Sequence, residues 1–398
     1  MPLTEFVVMI ASLMSVNALA IDTMLPALGM IADHYRLAVE NDQQLVVFAY
    51  VLGFGAPQLV FGPVSDRFGR KRLLQICLIG YMATGFYCMF TQSFAALLGA
   101  RFIQGVFASG VRVVAVSIVR DLLAGRQMAR VMSLSLTIFM AVPILAPSVG
   151  SVVLMFASWQ WTFGVLSVFA LVVFVWMQIR LPETLKPEDR KPFTVKQSFL
   201  AYKQVLTTRV TFGYMCAGGV SFGALFAFIA SCEQIFRDVF DIHETFALWF
   251  AGIAIFLAVA NFVNSRIVER IGMRRISHTV TIAFILMSLL TAGAMQVFGE
   301  KLFIFYPLFG LTFACFGMMG ANFSALAMEP LGKIAGTASA AYGFASTTVA
   351  SGVGYLVASR FDGTVTPVMF GYTAIGIAAL IIILITEKGR LFTSRDDA

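Results

Sequence analysis

Apolar residues come in unbroken runs of about 20, separated by short polar stretches, along all 398 residues of the chain. A helix rises 1.5 Å per residue, so a run of about 20 residues crosses a hydrocarbon layer about 30 Å thick. The runs predict spans near 5–29, 43–62, 73–91, 94–119, 131–155, 160–180, 211–236, 245–265, 277–298, 302–327, 335–359 and 365–386. Continuous runs exclude a transmembrane β-barrel, whose strands alternate apolar and polar positions. The first run reaches Asp22 and Pro26 with neither a basic leader nor a small-residue cleavage site, so a retained helix is expected there. The expected fold class is an all-α membrane protein of twelve transmembrane helices.

Composition agrees. The chain is 59% hydrophobic and 12% charged, against about 25% charged in an average soluble protein, and its mean hydropathy is +0.86. A net charge of +7 would suit nucleic acid if the charges formed a patch, but they are divided between alternate loops. One set carries Arg67, Arg70, Lys71, Arg72, Arg120, Arg126, Arg130, the 180–209 segment, Arg266, Arg270, Arg274, Arg275, Lys333, Lys388, Arg390 and Arg395. The other has only Arg36, Arg237, Lys301 and Arg360, outnumbered by acids such as Asp33, Glu40, Asp42, Asp238, Asp241 and Glu244. The positive-inside rule places the first set, with both termini, in the cytoplasm. The expectation is a multi-pass protein of a bacterial inner membrane that binds no nucleic acid and works as a monomer in the lipid bilayer.

The five cysteines all fall inside predicted spans at no metal-ligand spacing and read as packing residues. No phosphate-cradling GxxxxGK[ST] element is present. If the chain is a transporter, its energy comes from an ion gradient or the substrate's own gradient, with no cofactor.

The longest basic connection, 182–209, holds Pro182, Pro187 and Pro192 and divides the chain into an N-terminal bundle (1–181), a linker (182–209) and a C-terminal bundle (210–398). Within it, 193–205 reads either as an amphipathic surface helix or as plain linker. The loop 62–72 recurs at 265–275, shifted by 203 residues: Asp66 meets Glu269, Arg67 meets Arg270, Gly69 meets Gly272, and Lys71-Arg72 meets Arg274-Arg275. Such a repeat predicts two pseudo-symmetric six-helix bundles with a substrate site between them that works by alternating access.

These residues carry a resemblance. Gly62-Pro63-Val64-Ser65-Asp66-Arg67-Phe68-Gly69-Arg70-Lys71-Arg72 resembles the signature loop of the major facilitator superfamily. The 19–28 segment around Asp22 and Pro26, Arg101-Phe102-Ile103-Gln104-Gly105, Arg120-Asp121, Ala146-Pro147-Ser148-Val149-Gly150, Leu181-Pro182-Glu183-Thr184 and Ala335-Gly336-Thr337-Ala338-Ser339 follow in the order of its drug:H+ antiporters. The likeness is greatest to the bicyclomycin and chloramphenicol resistance (Bcr/CflA) branch. It implies the major facilitator fold and export of amphiphilic small molecules, with protons as the coupling ion. An exporter of one specific metabolite or self-made compound, or a non-transporting membrane sensor, remains as the alternative.

Four strongly ionisable side chains lie well inside predicted spans: Asp22, Arg101, Arg112 and Glu233. Each is costly in a bilayer unless it faces a partner or a cavity. Asp22 reads as a proton carrier or substrate-cation site, or as the partner of an arginine. Depth arithmetic places Asp22 about 7 Å and Arg101 about 9 Å from mid-span toward the same side, where they can meet. The resemblance implies that both take part in proton exchange. It also marks a departure, since this chain has Met14 where some multidrug members carry a second acid. Arg112, 11 residues beyond Arg101, shares its helix face and reads either as a cavity residue or as a charge snorkelling to the cytoplasmic end. Glu233 is spaced for an i,i+4 pair with Arg237.

Asn17, Tyr50, Phe54, Gln104, Phe222 and Phe226 join Asp22 and Arg112 as candidate substrate-binding residues, a few polar fixings in an apolar wall. Gly62 and Gly69 would allow a tight backbone or close helix approach, while Asp66, Arg70 and Asp121, beside Arg67, would form a charge chain. The resemblance makes this loop a conformational latch. Pro143, Pro147 and Gly150 are expected to bend the fifth helix.

Overall fold

A computed structural model describes residues 1–123, 125–185, 195–243 and 245–392. Pro187, Pro192, Glu244 and Arg395 lie outside the described residues. Each of the twelve predicted spans coincides with a helix or a pair of helices. In order these are α1 (Leu3–Asp22) with α2 (Leu28–Tyr35), α3 (Leu45–Gly55) with α4 (Gln58–Phe68), α5 (Arg70–Cys88), α6 (Phe94–Leu122), α7 (Gly125–Phe156), α8 (Gln160–Arg180), the connecting α9 (Val195–Thr207), α10 (Arg209–Gln234), α11 (Phe246–Ile271), α12 (Met273–Phe298), α13 (Leu302–Met328), α14 (Ala335–Ala358) and α15 (Thr366–Thr386).

The protein is an all-helical, multi-span membrane protein. Among the described residues eight helical stretches are long and apolar enough to cross a bilayer, or nine when α3 and α4 count as one span bent by 46°. Helices α5, α7 and α14 fall outside that count, and α5 opens on Arg70, Lys71 and Arg72.

Local chemistry explains the breaks. Helix α1 stops at Asp22 because Pro26, four residues on, has no N–H to continue the ladder; a short 3-10 turn, Leu25–Ala27, bridges to α2. Ser93 starts α6, its hydroxyl accepting the N–H of Ala96 at 3.2 Å. Gly69 separates α4 from α5 with φ 96°, a conformation that favours glycine, and its repeat partner Gly272 separates α11 from α12 with φ 89°.

The chain forms two compact units, 1–198 and 199–398. In the first, α1 packs on α6, α7 and α8, α6 packs on α3 and α5, and α5 packs on α8. In the second, α10 packs on α13, α14 and α15, α13 packs on α11 and α12, and α12 packs on α15. Each pairing of the first unit recurs in the second when α1, α3, α5, α6, α7 and α8 are replaced by α10, α11, α12, α13, α14 and α15. The sequence repeat is therefore a repeat of helix packing as well.

Hydrocarbon surroundings give no hydrophobic drive for helices to associate, so close backbone approach carries the packing. At the α3–α6 contact, a methyl group on Gly105 would strike the carbonyl of Tyr50, and one on Gly53 the carbonyl of Phe102. The second unit is instead packed around rings: Phe228 lies 5.4 Å from Phe250, 5.2 Å from Phe309 and 4.8 Å from Phe313.

Candidate functional site

Helices α1, α3 and α6 meet around Arg101. Its guanidinium is fully buried and donates to the carbonyls of Ala20 (2.9 Å) and Val46 (3.3 Å) and to Oε1 of Gln104 (2.6 Å). Its flat face lies 4.3 Å from the ring centroid of Tyr50 and 5.5 Å from that of Phe163. Such cation–π contacts are worth about 2 kcal/mol when desolvated. The Tyr50 hydroxyl in turn donates to Oδ1 of Asn17 at 3.2 Å, so α1 is tied to α3 and α6 by one polar chain.

The expected pairing of Asp22 with Arg101 is not formed. Arg101 spends its fork on the Ala20 carbonyl, two residues short of the end of α1, while Asp22 terminates that helix. The Asp22 side chain is 4% exposed, and no hydrogen bond or ion pair reaches its carboxylate among the described residues. Gly150 touches the same break: a methyl there would strike the Thr23 carbonyl and approach Pro26 Cδ to 3.4 Å. Its absent side chain thus seats α7 against the end of α1. Pro143 and Pro147 lie inside α7, which stays helical through both.

Tyr50, Phe54, Gln104 and Phe226 are buried and offer a ligand no free surface in this structure, while Asn17 and Phe222 are half-buried and Arg112 is exposed. The Arg112 guanidinium sits 5.7 Å from the Phe54 ring centroid. It therefore reaches back along α6 toward α3, away from the end that carries Arg120 and Asp121, which argues against snorkelling toward that end. Phe222 meets Phe316 edge-on at 5.4 Å. Glu233 is held by Arg237 at 2.9 Å, and Arg237 also binds Asp238 at 2.6 Å.

Asp66, Arg70 and Asp121 come together. Arg70 lies 2.5 Å from Asp66 and 2.7 Å from Asp121, and also donates to the Ser65 hydroxyl. Glu183 completes the cluster by accepting the backbone N–H groups of Arg70 (2.9 Å) and Lys71 (3.2 Å), which caps the start of α5. These residues all belong to the first unit. Arg67 lies over the ring of Phe68 at 5.2 Å. The expected close approach at Gly62 is absent: nothing lies within 4 Å of where its side chain would be, because α4 turns that position away from its neighbours.

Residues 10–355 match the family described as Major Facilitator Superfamily. The chain belongs to this superfamily. It is accordingly a transporter and not an enzyme. It is 29% identical to the bicyclomycin resistance protein homolog of Haemophilus influenzae, with 96% of each chain covered. It is 26% identical to the chloramphenicol resistance protein CraA of Acinetobacter baumannii over 91% of this chain and 84% of that one. These relatives lie in the Bcr/CflA branch of the superfamily. In fold it matches the crystal structure of a D-xylose-proton symporter with a TM-score of 0.74 at 14% identity, covering 97% of this chain and 99% of the other.

One polar cluster of this superfamily member escaped the sequence reading. In the second unit Glu387, just past α15, accepts from Arg274 (3.0 Å) and from the Tyr214 hydroxyl (2.8 Å). His278, fully buried, lies 3.1 Å from that hydroxyl through Nε2 and accepts the Phe392 N–H at Nδ1 (3.0 Å). Glu387 and Glu183 fill matching roles: each is an acid after the sixth helix of its unit that binds the first turn of the third. The available signal was His278 itself, a histidine inside a predicted apolar span.

Proposed function

We propose that the protein exports amphiphilic small molecules in exchange for protons, with Asp22 as the proton carrier. The observation that carries this reading is the Asp22 carboxyl, buried at a helix break without a counter-charge. A carboxyl in that setting needs either a partner or a proton of its own, so a rearrangement at the break loads or unloads it. Arg101 supports the change from a distance by holding the adjacent Ala20 turn, so that movement of α6 is felt at Asp22. The names of the relatives, resistance to bicyclomycin and to chloramphenicol, favour drug-like cargo.

The reading includes two bundles, 1–181 and 210–398, rocking about the 182–209 linker in a bacterial inner membrane, with both termini cytoplasmic and the Asp66–Arg70–Asp121 cluster as the latch between states. The alternation of basic and acidic loops supports the orientation. The test uses purified protein in proteoliposomes with an imposed pH gradient. Wild type is expected to accumulate chloramphenicol against its gradient and to release protons on binding it, whereas Asp22→Asn binds it and does neither. Undiminished uphill transport by Asp22→Asn would move the coupling elsewhere.

A further inference from the structure

Arg112 stands out on its own helix face. The residues that share the face one and two turns away, Gly105, Ala108, Ala115 and Val119, are all buried, and so is Arg101. Arg112 alone among them is exposed. The face is therefore open at Arg112 and closed at these neighbours. Its guanidinium is drawn over Phe54, one of the two walls of the α3–α6 contact.

Nothing among the described residues neutralises this charge. Of the described acids of the first unit, Glu5 pairs with Arg180, and Asp66 and Asp121 with Arg70; Glu183 binds the backbone of Arg70 and Lys71, and Asp33, Glu40 and Asp42 lie in α2 and the 40–44 turn. Asp22 lies near the level of Arg101, whose guanidinium binds Ala20. Arg112 is 11 residues farther along α6, about 16 Å. An unpaired guanidinium at membrane depth, held over a buried aromatic ring, is a fixed receptor for a planar anion: the fork pairs a carboxylate or sulfonate in two parallel hydrogen bonds.

We propose that Arg112 binds the acidic group of the transported molecule, so that the protein selects anionic amphiphiles and rejects cations. The inference rests on the export reading above and names its substrate class.

The test measures equilibrium binding of three probes to the purified full-length protein: fluorescein (anionic), chloramphenicol (neutral) and rhodamine 6G (cationic). Wild type is expected to bind fluorescein at least tenfold more tightly than rhodamine 6G. Arg112→Gln should lose at least tenfold in fluorescein affinity while chloramphenicol changes less than twofold, and Arg112→Lys should recover part of the loss. Fluorescein bound equally well by Arg112→Gln, or rhodamine 6G preferred by wild type, overturns the proposal. So does displacement of fluorescein by small amounts of phosphatidylglycerol, which would give the site to a lipid headgroup. Uphill transport of fluorescein in proteoliposomes separates the two readings: binding through Arg112 without uphill transport leaves the anion site standing and removes proton-driven export.

Discussion

Arg101 shows what a single side chain does here that its charge alone would not. It crosslinks three helices through two backbone carbonyls and one amide oxygen, a pattern that requires the planar five-donor fork of arginine. Hydrogen bonds from charged groups contribute about 1.5–3 kcal/mol each. Arg101→Lys, which keeps the charge and loses the fork, is therefore expected to cost at least about 2 kcal/mol, read as a lowered Tm in detergent. An unchanged Tm would mean the three contacts add little. Glu300, in the turn between α12 and α13, offers a pH test. Burial raises its carboxyl above the ordinary value, against the Val365 N–H that lowers it. A raised carboxyl binds its proton more tightly in the folded state, so its contribution is present at low pH and fades as pH rises from the ordinary carboxylate value through the raised one. Glu300→Gln should flatten the dependence of Tm on pH across that window; a wild-type Tm that rises through it would contradict the assignment.

At the scale of elements, the start of α5 is held by two devices at once. Glu183 satisfies the first N–H groups of the helix while Arg70 ties α5 to α4 and α6. The cluster involves neither Asp22 nor any residue bound to Arg101, so Asp66→Asn or Arg70→Ala is expected to slow turnover at least tenfold while substrate affinity changes less than threefold. Transport rate and equilibrium binding, measured separately on the same preparation, decide this, and a loss confined to affinity would remove the latch role. The repeat explains why the second unit lacks the same device. Met273 stands where Arg70 would fall, and Arg274, one position on, reaches Glu387 and Glu329 instead.

For the whole molecule, the loop charges make a topological prediction. A reporter that is active only outside the cytoplasm should be silent when fused after Ala398 and active when inserted beside Asp362, which lies in the loop between α14 and α15, one of the set poor in Lys and Arg. The reverse pattern would invert the orientation. The recurrence of the same six helix pairings in both units, together with the shared positive φ at Gly69 and Gly272, points to one ancestral packing used twice, as parallel-repeat transporters require.

The sequence by itself determined the number and order of the helical passes, the repeat, the family and the short roll of ionisable residues in the spans, since bilayer thickness and the cost of buried charge act on every run separately. Contacts within one helix or one loop were legible for the same reason: Glu233 with Arg237 and Asp66 with Arg70 are four residues apart. Tertiary structure decided everything that depends on rotation and partner choice. Asp22 and Arg101 share a depth, yet the fork went to the Ala20 carbonyl, because a backbone oxygen near the end of a helix is also an acceptor and leaves no trace in the residue type. Arg112 shares a face with Arg101, yet one is buried and the other open, because exposure is set by what the neighbouring helices place opposite each turn. The His278–Tyr214–Glu387 chain joins α10, α12 and the end of α15 across 64 and 173 positions of sequence, a distance over which no local pattern carries information.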